Sequence, residues 1–237
     1  MAVRSRGWLL LLAAMAVCAC STAAEKPATE EPSTPPAATP TVTVAPTPTT
    51  VPYAVTVQPM TGAQLPYTYA DGCPVPIEDL RLLTMTHHGF DGTSRTGEMV
   101  VHADQAEAVG RIFGQLYDVG FPIERMRLVD AYGGSTEASL ADNNTSGFHC
   151  RPVTGGTHWS EHAYGWAIDV NPVQNPYVRG DVVLPEAGRA YLDRTVAVPG
   201  LIADGDVVVA AFAAEGWSWG GTWSTLRDYQ HFSLTGR

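Results

Sequence analysis

Two short apolar-rich runs, Leu80–His87 and Gly97–His102, have the β-branched and aliphatic content of strands. The connection between them, Gly89-Phe90-Asp91-Gly92-Thr93-Ser94, is dense in turn residues. The spacing changes from Asp104 to Val119, where Ala106, Val109, Ile112, Phe113, Leu116 and Tyr117 fall on one face of a helix that Gly120 stops. Arg125 to Tyr132 reads as a core strand ended by Gly133-Gly134, and Trp166 to Val170 as a further strand. Pro185 to Arg194 is expected as a short helix with proline in its first turn, and Asp206 to Glu215 as another, stopped at Gly216. The terminal strand is expected over Tyr229–Leu234. Strands separated by helices, with hairpin-like links, predict an α+β fold: a small antiparallel sheet flanked by helices.

The N-terminal pattern differs. Arg4 and Arg6 precede the apolar run Gly7–Val17, which is too short to span a bilayer comfortably and reads as an export signal over residues 1–20. Val17-Cys18-Ala19-Cys20 is similar to a bacterial lipoprotein cleavage box with Cys20 as the acylated residue; ordinary cleavage near Thr22-Ala23-Ala24 is the alternative. Lipidation at Cys20 would tether the protein to the outer face of a membrane. Residues 21–52 are Ala, Pro, Thr, Ser and Glu with little to bury, the composition of a disordered spacer. Residues 53–237 are long enough for one domain with its own core.

Four cysteines are present, and Cys73 and Cys150 are left once Cys18 is cleaved and Cys20 acylated. In an oxidising compartment they are expected to form a disulfide; two unrelated thiols are the alternative. The formal charge of −10 argues against a nucleic-acid partner. A monomer is expected.

Candidate chemistry lies in three fragments: Ser160-Glu161-His162, Gly165-Trp166-Ala167-Ile168-Asp169 and Asp228-Tyr229-Gln230-His231. Alternation along the strand at 166–170 puts Ala167 and Asp169 on one face and Trp166, Ile168 and Val170 on the other. A carboxylate in an apolar strand is costly to bury unless it meets a cation or hydrogen-bond donors. His162, Asp169 and His231 make a three-ligand set for Zn²⁺ with an open fourth position, and Asp228 is a spare carboxylate to take a proton from water. His158, four residues before His162, and Glu161, next to it, are weaker rivals for ligand and base. His87, His88, His102 and His149 are expected to be structural. Trp217, Trp219 and Trp223 could stack on substrate, though core packing accounts for at least two. The long polar stretch 139–161 has the length of a functional loop.

Together, Ser160-x-His162-x-x-Gly165-x-Ala167-x-Asp169, Trp217-x-Trp219-Gly220-Gly221 and Asp228-x-x-His231-Phe232 resemble the zinc D-alanyl-D-alanine carboxypeptidase and endolysin peptidase family, over most of residues 80–237. The resemblance implies a Hedgehog/DD-peptidase-like fold, zinc ligands His162, Asp169 and His231, and Asp228 as general base. It also implies peptidoglycan stem peptides as substrate, cut by a carboxypeptidase of the D-Ala-D-Ala type or by a wall endopeptidase. A non-catalytic wall-binding module and a zinc-scavenging lipoprotein are the rival classes. Many members carry an Arg after a Tyr on the strand before the first ligand, whereas this chain has Asp130-Ala131-Tyr132-Gly133-Gly134. Arg151 is the candidate replacement for binding a substrate carboxylate or the developing oxyanion.

Overall fold

A computed structural model describes residues 51–236. The expected signal segment, Cys20 and nearly all of the expected spacer lie outside the described residues. No helix among the described residues is long and apolar enough to cross a membrane.

The chain opens with an antiparallel meander of β1 (Val55–Pro59), β2 (Leu80–His88) and β3 (Ser94–His102). β2 and β3 pair along their whole length, from Leu80 opposite His102 to His88 opposite Ser94. Both faces of this pair are covered. Leu83, Met85, Met99 and Val101 enter the main core with α1 (Ala106–Asp118), while Leu80, Leu82 and Val100 pack with Met60, Leu65, Val75 and Phe148. In α1, Val109, Ile112, Phe113 and Leu116 are all buried, as their helical spacing requires.

Beyond α1 the chain becomes irregular. The expected core strand over Arg125–Tyr132 is reduced to β4 (Arg125–Met126), followed by a 3₁₀ turn at Val129–Tyr132 that Gly133 ends in the left-handed conformation. The correction has a physical cause. The Asp130 carboxylate accepts bonds from the backbone N–H groups of Tyr67 and Thr68, a side-chain-to-backbone pairing that competes with a strand ladder. The expected 139–161 loop is not free of structure: α2 (Thr136–Ala141) runs into it, and β5 (Asn144–Thr145) pairs parallel with β4.

β6 (Ala167–Asp169) precedes a hairpin of β7 (Tyr177–Arg179) and β8 (Val182–Leu184). The helix expected from Pro185 is a 3₁₀ segment over Glu186–Tyr191. α3 (Val207–Ala214) starts where the Asp206 carboxylate accepts from the N–H groups of Val208 and Val209, and it packs against α1 and β9 (Ser218–Trp219). β10 (Arg227–Asp228) pairs with β7, and β11 (His231–Ser233) lies between β6 and β9. The α+β expectation is borne out, with three small antiparallel sheets where one was expected.

The excursion after β6 is held by a buried amide. Asn175 donates through Nδ2 to the carbonyls of Val170, Asn171 and Gly200, and its Oδ1 accepts from Ile202 N and an Arg194 guanidinium nitrogen. Arg194 also lies 4.4 Å from the centroid of the Tyr229 ring, a cation–π contact close to the start of β11.

At the head of β6, Gly165 has φ 71° and its carbonyl accepts from His102 N at 3.1 Å. A Cβ there would lie 2.5 Å from that same backbone nitrogen. Gly165→Ala is expected to cost about 2 kcal/mol or more, through the left-handed conformation plus the clash. Urea unfolding of the variant, with an unchanged midpoint, would show that the turn tolerates a side chain.

Candidate metal centre

The alternation of β6 and β11 builds the site. Ile168 and Phe232 are cross-strand partners that face the main core, and Phe232 stacks on Phe212 with ring centroids 3.9 Å apart. Asp169 and His231 are the next pair along and point to the opposite face. His231 Nδ1 lies 3.0 Å from Asp169 Oδ1.

The third member arrives on a turn. Ser160 caps the 3₁₀ segment Glu161–Tyr164, its hydroxyl accepting from His162 N, and Gly165 ends the segment after one turn. His162 Nε2 then lies 3.3 Å from Asp169 Oδ2, so each carboxylate oxygen faces one imidazole. The donor atoms of His162, Asp169 and His231 all lie within 4.8 Å of one another, and all three side chains are buried. The expected ligands are thus brought together. Two imidazoles and one carboxylate, with no fourth side chain in the group among the described residues, are the donor set of a catalytic zinc site, and the group fits that metal.

The 139–161 segment supplies the support. His162 Nδ1 donates to the Gly147 carbonyl at 2.6 Å, which fixes the tautomer and leaves the Nε2 lone pair directed at the centre. Ser146 exchanges two backbone hydrogen bonds with Asp169, extending the sheet beyond β6. Phe148 N donates to Val100 O, His149 N to His162 O and Cys150 N to Thr68 O. Gly147 permits this course, because a Cβ there would lie 2.4 Å from Val100 O. The Cys73–Cys150 disulfide pins the end of the segment and closes a loop of 77 residues. By chain entropy, closing so long a loop contributes about 4 kcal/mol.

Burial alone would push the Asp169 carboxyl upward, but the charges and hydrogen bonds of His162 and His231 hold it far below the usual carboxylate range. Asp228 goes the other way. Burial pushes its carboxyl up from 3.8 to about 7, assisted by the Asp169 charge and opposed by His231, a Gln230 hydrogen bond and Arg151. Asp228 Oδ1 has no hydrogen-bond partner among the described residues.

Arg151 stands where its charge is felt by both Asp228 and His149. One of its terminal nitrogens donates to Pro152 O at 3.2 Å, and its buried Nε has no partner among the described residues. His149 is buried, and burial, with the charges of Arg151 and His162, pushes its imidazole down to about 4. A Thr136 hydroxyl lies 3.3 Å from its Nδ1.

His158 and Glu161 are not members of the metal group. Trp217 and Trp219 belong to the core, whereas Trp223 is half-buried with its ring 5.5 Å from that of His231. Two neighbours of the site escaped the sequence, the Gly147 carbonyl and Gln230, which is 3% exposed, whereas His149, expected to be structural, is buried. Only Gln230 left a signal, as a polar residue directly before a strand ligand.

No curated protein and no solved structure matches the chain. Residues 154–234, which hold His162, Asp169, Asp228 and His231, match the family model described as D-alanyl-D-alanine carboxypeptidase.

Proposed function

We propose that this chain is an exported zinc metallopeptidase that removes the terminal D-alanine from peptidoglycan stem peptides. The observation that carries the reading is a buried His162–Asp169–His231 group near an Asp228 carboxylate with one oxygen unpartnered among the described residues, all within the segment matched by the peptidase family model. The disulfide suits an oxidising compartment, as export requires. Lipidation of Cys20 and anchoring to the outer membrane face belong to the same proposal.

Zinc bound by the three ligands supplies Lewis-acid chemistry, polarising a peptide carbonyl and acidifying water. The remaining work falls to the protein. Asp228 accepts a proton from the attacking water as the C–O bond forms. It returns that proton to the leaving amine as the C–N bond breaks, which gives a free D-alanine and a shortened peptide. Burial raises the Asp228 carboxyl in the metal-free protein, and a bound cation would draw it back toward the ionised form that a base needs. Arg151, whose buried Nε has no partner among the described residues, binds the substrate's terminal carboxylate in this reading.

The decisive experiment is mass spectrometry of stem pentapeptides incubated with the purified protein, with and without chelator. Chelator-sensitive loss of one terminal D-alanine is expected. An internal cut would replace the carboxypeptidase reading with an endopeptidase, and absence of any cut with zinc bound would leave a wall-binding module.

Asp228→Asn is expected to retain zinc and to lose roughly 10²- to 10⁴-fold in kcat; wild-type turnover would remove Asp228 from the base role. His231→Ala is expected to lose the metal, so stoichiometric zinc in that variant would remove His231 from the ligand set.

A stability signature accompanies these. The folded pKa of Asp228 is raised above its unfolded value, so metal-free stability declines as pH rises from 3.8 to about 7 and is flat above. Metal-free Asp228→Asn should therefore melt above the metal-free wild type at pH 8, with the gap closing as pH falls toward 4. Equal melting temperatures at pH 8 would mean that Asp228 is not buried as a carboxylate.

A further inference from the structure

Three tryptophans lie close together near the C-terminus, and they take different sides of the sheet. Trp217 and Trp219 are buried in the main core, and the Trp219 ring lies 6.5 Å from that of Phe232, its cross-strand partner. Trp223 is half-buried, and its ring lies 5.5 Å from that of His231. Phe232 and His231 are successive residues of β11 and project to opposite faces. The 3₁₀ turn Gly220–Thr222 therefore carries the chain from the core face round to the face of the metal group.

That turn is fitted closely to the site. A Cβ on Gly220 would lie 2.8 Å from the Asp228 carbonyl oxygen, 3.1 Å from the Asp228 Cβ and 3.4 Å from the His231 Cβ. The turn thus rests on the backbone of the proposed base and of a proposed ligand. Trp223 is held on both sides. Its N–H donates to Gly220 O at 3.2 Å, and its carbonyl accepts from the Arg227 guanidinium, which also donates to Gly221 O at 3.3 Å.

Core packing does not account for an indole here. Leaving part of so large a ring in water forgoes the burial that Trp217 and Trp219 obtain. The groups assigned to the site so far are all polar or charged. A D-Ala-D-Ala terminus brings a carboxylate and an amide, which those groups can meet, and two methyl groups, which they cannot. Ligand pockets are walled by apolar and aromatic side chains around a few polar ones, and Trp223 is an aromatic side chain on this face, set against a ligand and partly open.

We infer that Trp223 is a specificity-determining residue: its half-buried indole forms an apolar wall beside His231 against which the methyl groups of the D-Ala-D-Ala terminus pack. The inference rests on the carboxypeptidase reading and adds to it the group that selects alanine over glycine.

The test uses the purified, zinc-loaded full chain with two stem pentapeptides, one ending in D-Ala-D-Ala and one in Gly-Gly. The wild type should favour the first by about tenfold in kcat/KM, the size expected for two buried methyl groups. Trp223→Ala should cut that preference to about twofold, the loss falling mainly on the alanine peptide, with zinc and melting temperature unchanged. Trp223→Gln should behave alike and serves if the alanine variant does not fold, whereas Trp223→Phe should keep most of the preference. Calorimetric binding of the two peptides to Asp228→Asn, with and without Trp223→Ala, should show the same loss of preference in Kd without turnover. A wild type indifferent to the two peptides overturns the inference, and so does a preference that survives in a folded, zinc-loaded Trp223→Ala or Trp223→Gln. A loss equal on both peptides, or one that follows lost zinc, overturns it too, because the ring would then be a prop for His231. A wild type that releases no D-alanine from the first peptide instead sinks the carboxypeptidase reading, and does so before any substitution is made.

Discussion

The structure depends on one cross-strand register. Because Asp169 lies opposite His231 across β6 and β11, a carboxylate and an imidazole meet at 3.0 Å on one face while Ile168 and Phe232 lock the other face into the core. A slip of one residue would exchange these faces, burying the charged pair among Phe212, Trp217 and Trp219 and exposing the aromatics. The same apolar contacts that stabilise the fold therefore fix the site geometry. His162 needs separate placement, and a single capped turn closed by Gly165 supplies it.

That arrangement carries an electrostatic demand. Asp169 is buried, and its ionised form is held by two flanking imidazoles, one on each oxygen. Asp228, a half-buried second carboxylate close enough to feel the charge of Asp169, lacks such a pair and is pushed up to about 7. Two carboxylates in one site with environments that drive them apart are suited to different tasks, one for holding a cation and one for moving a proton. A divalent cation among the three ligands would satisfy Asp169 and draw Asp228 toward its ionised form.

The legible parts of the sequence were those with strong periodicity or an energetic anomaly. The helix expected over Asp104–Val119 appears as α1, and the paired strands β2 and β3 appear slightly longer than expected, because period and composition agreed there. Asp169 stood out because a charge inside Trp166–Val170 contradicts its surroundings, and the structure brings it against both histidines. Arg125–Tyr132 misled because its apolar content suits a strand, while Asp130 prefers to cap a distant backbone. β1 and the β7–β8 hairpin went unseen, their exposed, weakly alternating residues carrying little pattern. The Gly147 carbonyl was illegible in principle, since a backbone oxygen leaves no trace in residue type.

The polar stretch 139–161 shows why the site is rigid despite its irregular backbone. Its residues 146–150 bond in turn to β6, β3, the His162 turn and the segment at Thr68, and the disulfide adds a covalent tie. A loop with so many separate anchors has few independent ways to open, because local opening needs exposed backbone bonds and sparse packing. Arg151 emerges from the last of these anchors, one residue after Cys150. A guanidinium with several rotatable bonds is a poor recognition group when its backbone drifts, and a good one when its root is fixed. In the proposed carboxypeptidase, binding of a terminal carboxylate would then depend as much on the Cys73–Cys150 tether as on the arginine it steadies.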